Sequence, residues 1–482
     1  MALFDEGIYK QVFERPANIV TSVSLEAYPV EAASQALSGL GELVGKEYIG
    51  RLGGSLKYDD FETTMTNRKK WLGIYTGEDI NSHLISKFTT NVLEEVKLAS
   101  SNIVDRAIRR MALTYKDKPE YTHTGKGLPE DYPSVNRWIA FKNAERLCNL
   151  LGTVAIRPVV RGAELQWDVL WYFVPLLSEN DSLQLDGIAY PLSANNKRWA
   201  IWTKEEMYIG DTGTKKKEPF PGREDTANPY GLIPFTLAHP KYPANNCPIV
   251  NGYGKQLIDA NDALNLGLTE TRIGARLNMM GQYWTKGLDA KNVISLGANK
   301  VPNFPDTGEL NQVAPTGDFT GAIEYLRFEI ENAMQSIGLQ IQWGDSADAP
   351  SGESLRVKSI ELIERREDDV PIWREADRGV YEDEMVIYEE DMKKKLPELE
   401  RINFQEMSFP KPASETRDQL EWDWKHGFDT PAAHLMRRDP DGFKDDEEAQ
   451  AFIDENKQAQ PQQPGKINIF GKKSESVGNG VK

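Results

Sequence analysis

Residue types able to do chemistry are scattered along this chain rather than gathered into motifs. Its five histidines (His83, His123, His239, His426, His434) show no metal-ligand spacing, and neither cysteine joins them in a ligand pattern. Two cysteines, Cys148 and Cys247, cannot form a disulfide framework, and Cys148 falls in a helical apolar pattern that predicts a buried thiol. Gly125-Lys126-Gly127 lacks both the earlier glycine and the Ser or Thr of a phosphate-cradling loop. Gly252-Tyr253-Gly254 opens a helix without the third glycine of a dinucleotide turn. Asp439-Pro440-Asp441-Gly442 puts glycine at the wrong place for a calcium loop. There is no Gly-x-Ser-x-Gly elbow, and Glu367-Asp368-Asp369 lies on a helix whose charges look solvated. Acidic ligands could still be dispersed among 74 Asp and Glu residues, which leaves a metal-dependent nuclease or hydrolase as an alternative. The motifs themselves predict no catalytic residue, no metal site and no cofactor.

The elements that would position any site are long helices with a β region between them. With 482 residues, 39% of them hydrophobic, the chain can bury two or three domain cores. No run approaches the ~20 apolar residues of a membrane span, and Met1-Ala2-Leu3-Phe4-Asp5-Glu6 lacks a basic-then-apolar leader, so assembly in a cytoplasm is expected. A net charge of −17 has the wrong sign for gripping DNA; it fits plain solubility, or a surface that DNA must pass without sticking.

Residues 1–80 mix short apolar runs with glycines and support no firm assignment. A helical pattern dominates Asn81 to Tyr115, and a loop follows Lys118-Pro119. Ser134 or Asn136 can cap a helix carrying Trp138, Phe141, Leu147 and Leu151, closed by Gly152. The period then falls towards two over Thr153–Val160, Leu165–Val174 and Lys197–Ile209, which predicts an antiparallel β region; a charged loop over Gly210–Pro234 leads to a last extended piece, Ile233–Ala238. A long helix is expected from Gly254 to Trp284, with Leu257, Ala260, Leu264, Leu268, Ala275 and Met279 on one face. Gly267, Gly274 and Gly281 recur every seven residues, either by coincidence or because another backbone comes close. Lys286 to Gly317 holds a short β piece, Asn292 to Leu296, among turn residues.

Phe319, Ile323, Leu326, Ile330, Met334 and Ile337 then form one apolar stripe, with spacings of 4, 3, 4, 4 and 3. The loop Trp343-Gly344-Asp345-Ser346-Ala347-Asp348-Ala349-Pro350-Ser351-Gly352 precedes a charged helix over Glu353–Leu396, which Pro371 should kink. A strand is expected in Arg401–Phe409, helices in Ser414–His426, from Thr430-Pro431 and in Asp445–Glu455, and a disordered tail from Gln458.

Four segments, in this order and spacing, resemble the portal proteins of tailed bacteriophages. They are Asn102-Ile103-Val104 with Met111-Ala112-Leu113 and Lys118-Pro119; Leu150 to Ile156 through Phe173-Val174-Pro175; Ser336-Ile337-Gly338-Leu339 with Ser351-Gly352-Glu353-Ser354-Leu355; and Ser414 to Glu455. Together they cover roughly residues 85 to 455. The N-terminal region has no clear counterpart, and an acidic tunnel loop departs from direct DNA gripping.

The resemblance implies an α+β portal fold. Its parts would be an N-terminal extension (1–80), a wing (81–250), a first stem helix (251–286), a small α/β clip (287–317), a second stem helix (318–342), a tunnel loop (343–352), a long kinked wing helix (353–400), a helical crown (401–457) and a tail (458–482). It implies a homo-oligomeric ring, typically of twelve copies, at one capsid vertex of the virion. Double-stranded DNA would pass through it, driven by a separate terminase ATPase, and head-completion or adaptor protein, major capsid protein and scaffold would be its other partners. Trp343, Gly344, Asp345, Ser346, Ala347, Asp348, Pro350 and Ser351 would form the channel constriction, and Arg327, Glu324 and Glu331 would line the stem. Lys286, Asn292, Lys300 and Asn303 would meet partners at the clip. Twelve copies at −17 give a ring charge of about −200, felt over a screening length of ~8–10 Å, so that DNA slides rather than sticks. Arg327 and Lys286 would centre the strand, or are ordinary surface charges. Another head-to-tail adaptor or a tail protein is the alternative within the virion.

Overall fold

In the computed structural model the described residues are 39–45, 58–78, 80, 84–88, 96–125, 127–181, 184–192, 197–243, 248–280, 282–286, 309–313, 319–339, 360–406, 413–438 and 446–459. They form a mixed α+β chain, divided into two compact units; the larger closes at Met407, and the smaller holds the helices that follow. Among the described residues no helix is long and apolar enough to cross a membrane.

Within the larger unit, α1 (Tyr58–Thr76) buries Met65, Arg68, Trp71, Leu72 and Ile74. The buried Arg68 interrupts its apolar stripe, which is why the sequence gives no assignment there. Its Nη1 donates to the carbonyls of Thr153 (3.0 Å) and Trp171 (3.2 Å).

The second helix, α2 (Ile103–Met111), is far shorter than the helix expected over Asn81–Tyr115. Asn102 accepts from the Asp105 N–H at 3.3 Å and starts it there. The preceding residues, 97–102, are not helical, because their backbone is held by the side chains of Asn261, Asn265 and Thr269.

After β1 (Glu120–His123), in a stretch expected to be loop, α3 (Ser134–Leu151) fulfils its expected span. Neither Ser134 nor Asn136 caps it; the start falls at Pro133 with no side-chain cap. Gly152 (φ +100°) ends it, and an added Cβ would lie 2.0 Å from the Val250 carbonyl oxygen. Only glycine fits that crossing.

The β region is antiparallel as expected, but it forms two sheets. One is β3 (Glu164–Leu170), β2 (Val154–Arg161) and β9 (Thr236–Ala238). The other runs β4 (Val174–Leu177), β5 (Leu185–Pro191), β6 (Arg198–Thr203), β7 (Met207–Asp211) and β8 (Lys217–Glu218). Leu165–Val174 is therefore not one strand: it holds all of β3 but its first residue and only the first residue of β4, and Lys197–Ile209 is a hairpin. The sequence pattern missed β5, where Gly187 breaks the β-former run. A Cβ there would sit 2.6 Å from the Trp202 carbonyl oxygen of β6.

Next, α4 (Gly254–Met280) stops short of the expected Trp284. Tyr283 and Trp284 instead belong to β10 (Gln282–Lys286), which pairs with β11 (Glu309–Val313) from Gln282↔Val313 to Lys286↔Glu309. The chain returns through α5 (Phe319–Gln335), and Gly338 (φ +73°) follows its end.

The long helix, α6 (Ile360–Met392), spans ~50 Å at 1.5 Å per residue. It runs unbroken through Pro371, the expected kink point, which is exposed. It stops before the expected Leu396, with Lys393 at φ +55°. β12 (Leu399–Asn403) then pairs with β1, Glu120 opposite Asn403.

The smaller unit comprises α7 (Ala413–His426), α8 (Pro431–Arg438) and α9 (Asp446–Ala459), with Gly427 (φ +74°) after α7. Thr430 Oγ1 accepts from the Ala433 N–H at 3.1 Å, so the predicted Thr-Pro start of α8 is present. Residues 353–359, the Asn292–Leu296 strand and the tail expected from Gln458 to the end, apart from the residues closing α9, lie outside the described residues.

Candidate functional site: a helical finger and its buried base

The pair α4–β10 and β11–α5 makes a two-helix finger. Its base is held by polar groups that helix-face logic would place in water. Asn261, Asn265 and Thr269 sit four residues apart on α4 and are fully buried. They take the backbone of 99–103: the Ala99 N–H donates to Thr269 Oγ1 (2.9 Å), Ser101 N–H to Asn265 Oδ1 (2.8 Å) and Ile103 N–H to Asn261 Oδ1 (3.2 Å). Asn265 Nδ2 donates back to the Ser101 carbonyl at 2.8 Å. A helix over 97–102 would forfeit these bonds while leaving three buried polar side chains unpaired, a cost of ~1–3 kcal/mol each.

Within the finger, Gly267 of α4 faces Leu326 of α5, whose Cδ2 lies 2.3 Å from where a Cβ would stand. The close approach inferred from the glycine repeat is made here by a side chain and not by another backbone; Gly281 lies outside the described residues. Apolar cover fades along α5. Met334 and Ile337 are 4% exposed at the base, whereas Ile323, Phe328 and Tyr325 are 44%, 61% and 64% exposed farther out.

Beneath the finger, α6 is clamped to α3. Arg365 Nη2 donates to Asn149 Oδ1 (3.0 Å), and its guanidinium lies 4.4 Å from the Tyr253 ring centroid. Asp369, expected to be solvated, is mostly buried 3.6 Å from Arg365. Burial pushes its carboxyl up to about 6 against the pull of Arg365.

Farther along, Arg137 of α3 meets Asp377 Oδ1 at 2.7 Å and Glu384 Oε1 at 2.8 Å, with all three side chains at most 3% exposed. Tyr132 OH and Trp167 Nε1 each donate to Glu384 at 2.6 Å. Tyr115 OH (2.8 Å) and Tyr121 OH (3.0 Å) donate to Asp377 Oδ2. Burial pushes the Glu384 carboxyl up, with Arg137 and the two donors opposing it.

One guanidinium and four neutral donors thus satisfy two carboxylates in the core. With the acceptor oxygens engaged by the protein and shut from solvent, the cluster is built to fasten helices. Sequence reasoning missed it, although a signal exists: Asp377 and Glu384 stand seven apart on the stripe Trp373, Ala376, Val380, Tyr381, Ile387 and Tyr388, all buried. Elsewhere in the core, Cys148 is a buried free thiol, as expected. Among the described residues no group of three or more His, Cys, Asp or Glu side chains is placed to hold a metal ion.

The expected stem residues occupy α5: Glu324 and Arg327 are exposed, and Glu331 is half-buried. Lys286 pairs with Glu309 across β10 and β11. The expected constriction (Trp343, Gly344, Asp345, Ser346, Ala347, Asp348, Pro350, Ser351) and the clip positions Asn292, Lys300 and Asn303 lie outside the described residues. No protein-family model matches the chain, and no curated protein matches it in sequence.

Proposed function

We propose that this chain is the subunit of a portal: a ring at one capsid vertex of a tailed bacteriophage, through which double-stranded DNA is packaged and ejected. One observation carries the reading most. An antiparallel helical finger, tipped by a strand pair and fastened at its base, leaves large apolar side chains bare along its outer half in the isolated chain. Exposed apolar area of this kind is stabilised by contact with protein, and a closed ring of identical copies supplies it without leaving an edge.

In this reading the finger would be the stem and the β10–β11 pair the start of the clip, where terminase and later a head-completion protein would dock. The long α6 would be the wing helix that the resemblance expects after the Gly/Asp/Ser/Pro-rich sequence 343–352. The acidic balance of −17 favours a lumen that repels phosphates.

Electron microscopy of the purified full-length chain tests the proposal. Rings with a central hole are the expected result; discrete monomers that cleave DNA in a metal-dependent way would replace it with an enzyme.

A further inference from the structure

The finger carries two apolar features on opposite sides of the same helix, and their charges are complementary. On one side α5 joins α2 and α4 in lining a cleft of 470 Å³, whose apolar walls include Leu268, Ile323, Leu326 and Ile330. Arg106 and Arg110 of α2 also line it, and neither has an ion pair among the described residues.

On the other side stand Tyr325 and Phe328, at 64% and 61% exposure. At ~100° per residue they point about 170° away from the cleft-lining residues of α5. Glu324 and Glu329 flank them, each about 70° to one side, so the aromatic pair projects between two carboxylates.

An aromatic pair flanked by acids and an apolar cleft edged by arginines are complementary in shape and sign. They cannot meet within one chain, because both are built from α5 and face apart. They can meet between two chains, and a contact joining different faces of each copy propagates head to tail until a rotation closes it. We infer that Tyr325 and Phe328 of one copy seat in the α2–α4–α5 cleft of the next, with Glu324 and Glu329 against Arg106 and Arg110. This rests on the ring reading above and supplies its occupant: a second copy of this chain, joined by unlike surfaces. The aromatic rings bring 150–250 Å² each, the anchor type that dominates interfaces, and the flanking pairs fix orientation.

The test uses two full-length variants. Tyr325→Ser with Phe328→Ser removes the projection and leaves the cleft; Arg106→Glu with Arg110→Glu turns the cleft edge acidic and leaves the projection. Circular dichroism melts that match the unaltered chain show that both are folded. Sedimentation velocity should find each alone unassembled at concentrations at least ~10-fold above those at which the unaltered chain forms rings. An equimolar mixture should yield dimers and stop there, because it offers one competent projection to one competent cleft.

Unaltered ring formation by either variant, or a mixture that stays monomeric, overturns this interface while the ring itself stands. An unaltered chain that never assembles removes both.

Discussion

The body and the finger solve opposite problems with similar residues. In the body, Arg137, Asp377 and Glu384 are charges drawn inside and answered by one another and by protein donors at 2.6–3.0 Å. In the finger, Tyr325 and Phe328 are apolar groups held outside and left unanswered. The first arrangement spends polar groups on locking two helices, two strands and two loops into one orientation. The second forgoes burial that folding alone could have supplied. A charge buried with its partners specifies geometry, whereas an apolar group exposed beyond a rigid base specifies a partner. The contrast predicts that the body governs stability and the finger governs association.

Replacing Arg137 with Met should act most strongly. It strands two buried carboxylates and should cost ~3–5 kcal/mol of unfolding free energy by urea titration. A cost under ~1 kcal/mol would mean that the cluster is hydrated and would dissolve the contrast. Gly152→Ala comes next: the new Cβ meets the Val250 carbonyl in a backbone conformation that disfavours it, for a loss of at least ~2 kcal/mol in the same titration.

The body should also become less stable as pH rises. Burial pushes Asp383 and Glu145 each up to about 7, so the folded chain holds those protons more tightly than the unfolded one. Their contribution is complete below their ordinary range near 4 and is lost as pH rises through about 7. His239, pushed down to about 4 by burial, acts in the other direction and loses its contribution as pH falls from 6.5. Asp383→Asn should therefore shrink the loss between pH 4 and 7, read as a flatter dependence of melting temperature on pH. An unchanged slope would place the proton elsewhere.

The smallest effect on stability belongs to Tyr325→Ser with Phe328→Ser, which should stay within ~0.5 kcal/mol while association is lost. A large stability loss from that pair would show that the finger's aromatics belong to the fold.

The sequence shows where elements lie when their signals are local. The stripe from Phe319 to Ile337, the Gly152 stop and the Thr430-Pro431 start depend on neighbours within a few residues, and they appear as expected. Signals that depend on distant partners stay hidden. β1 finds β12 nearly 280 residues away, and no local pattern announces that pairing. Residues 97–102 follow a helical pattern but are captured by Asn261, Asn265 and Thr269 of α4. Arg68, Asp377 and Glu384 look like surface charges until a fold supplies their partners. The finger's amphipathic face was legible; that its outer half is bare on one side and clefted on the other was not, because periodicity records a face and not what covers it.

The mass of the full-length chain in solution, measured by native mass spectrometry at micromolar concentration, tests the central claim most directly. A closed ring near 650 kDa, about twelve times the 54.4 kDa chain, is the predicted result. A single species at 54.4 kDa, with the finger's aromatics still bare, would contradict it.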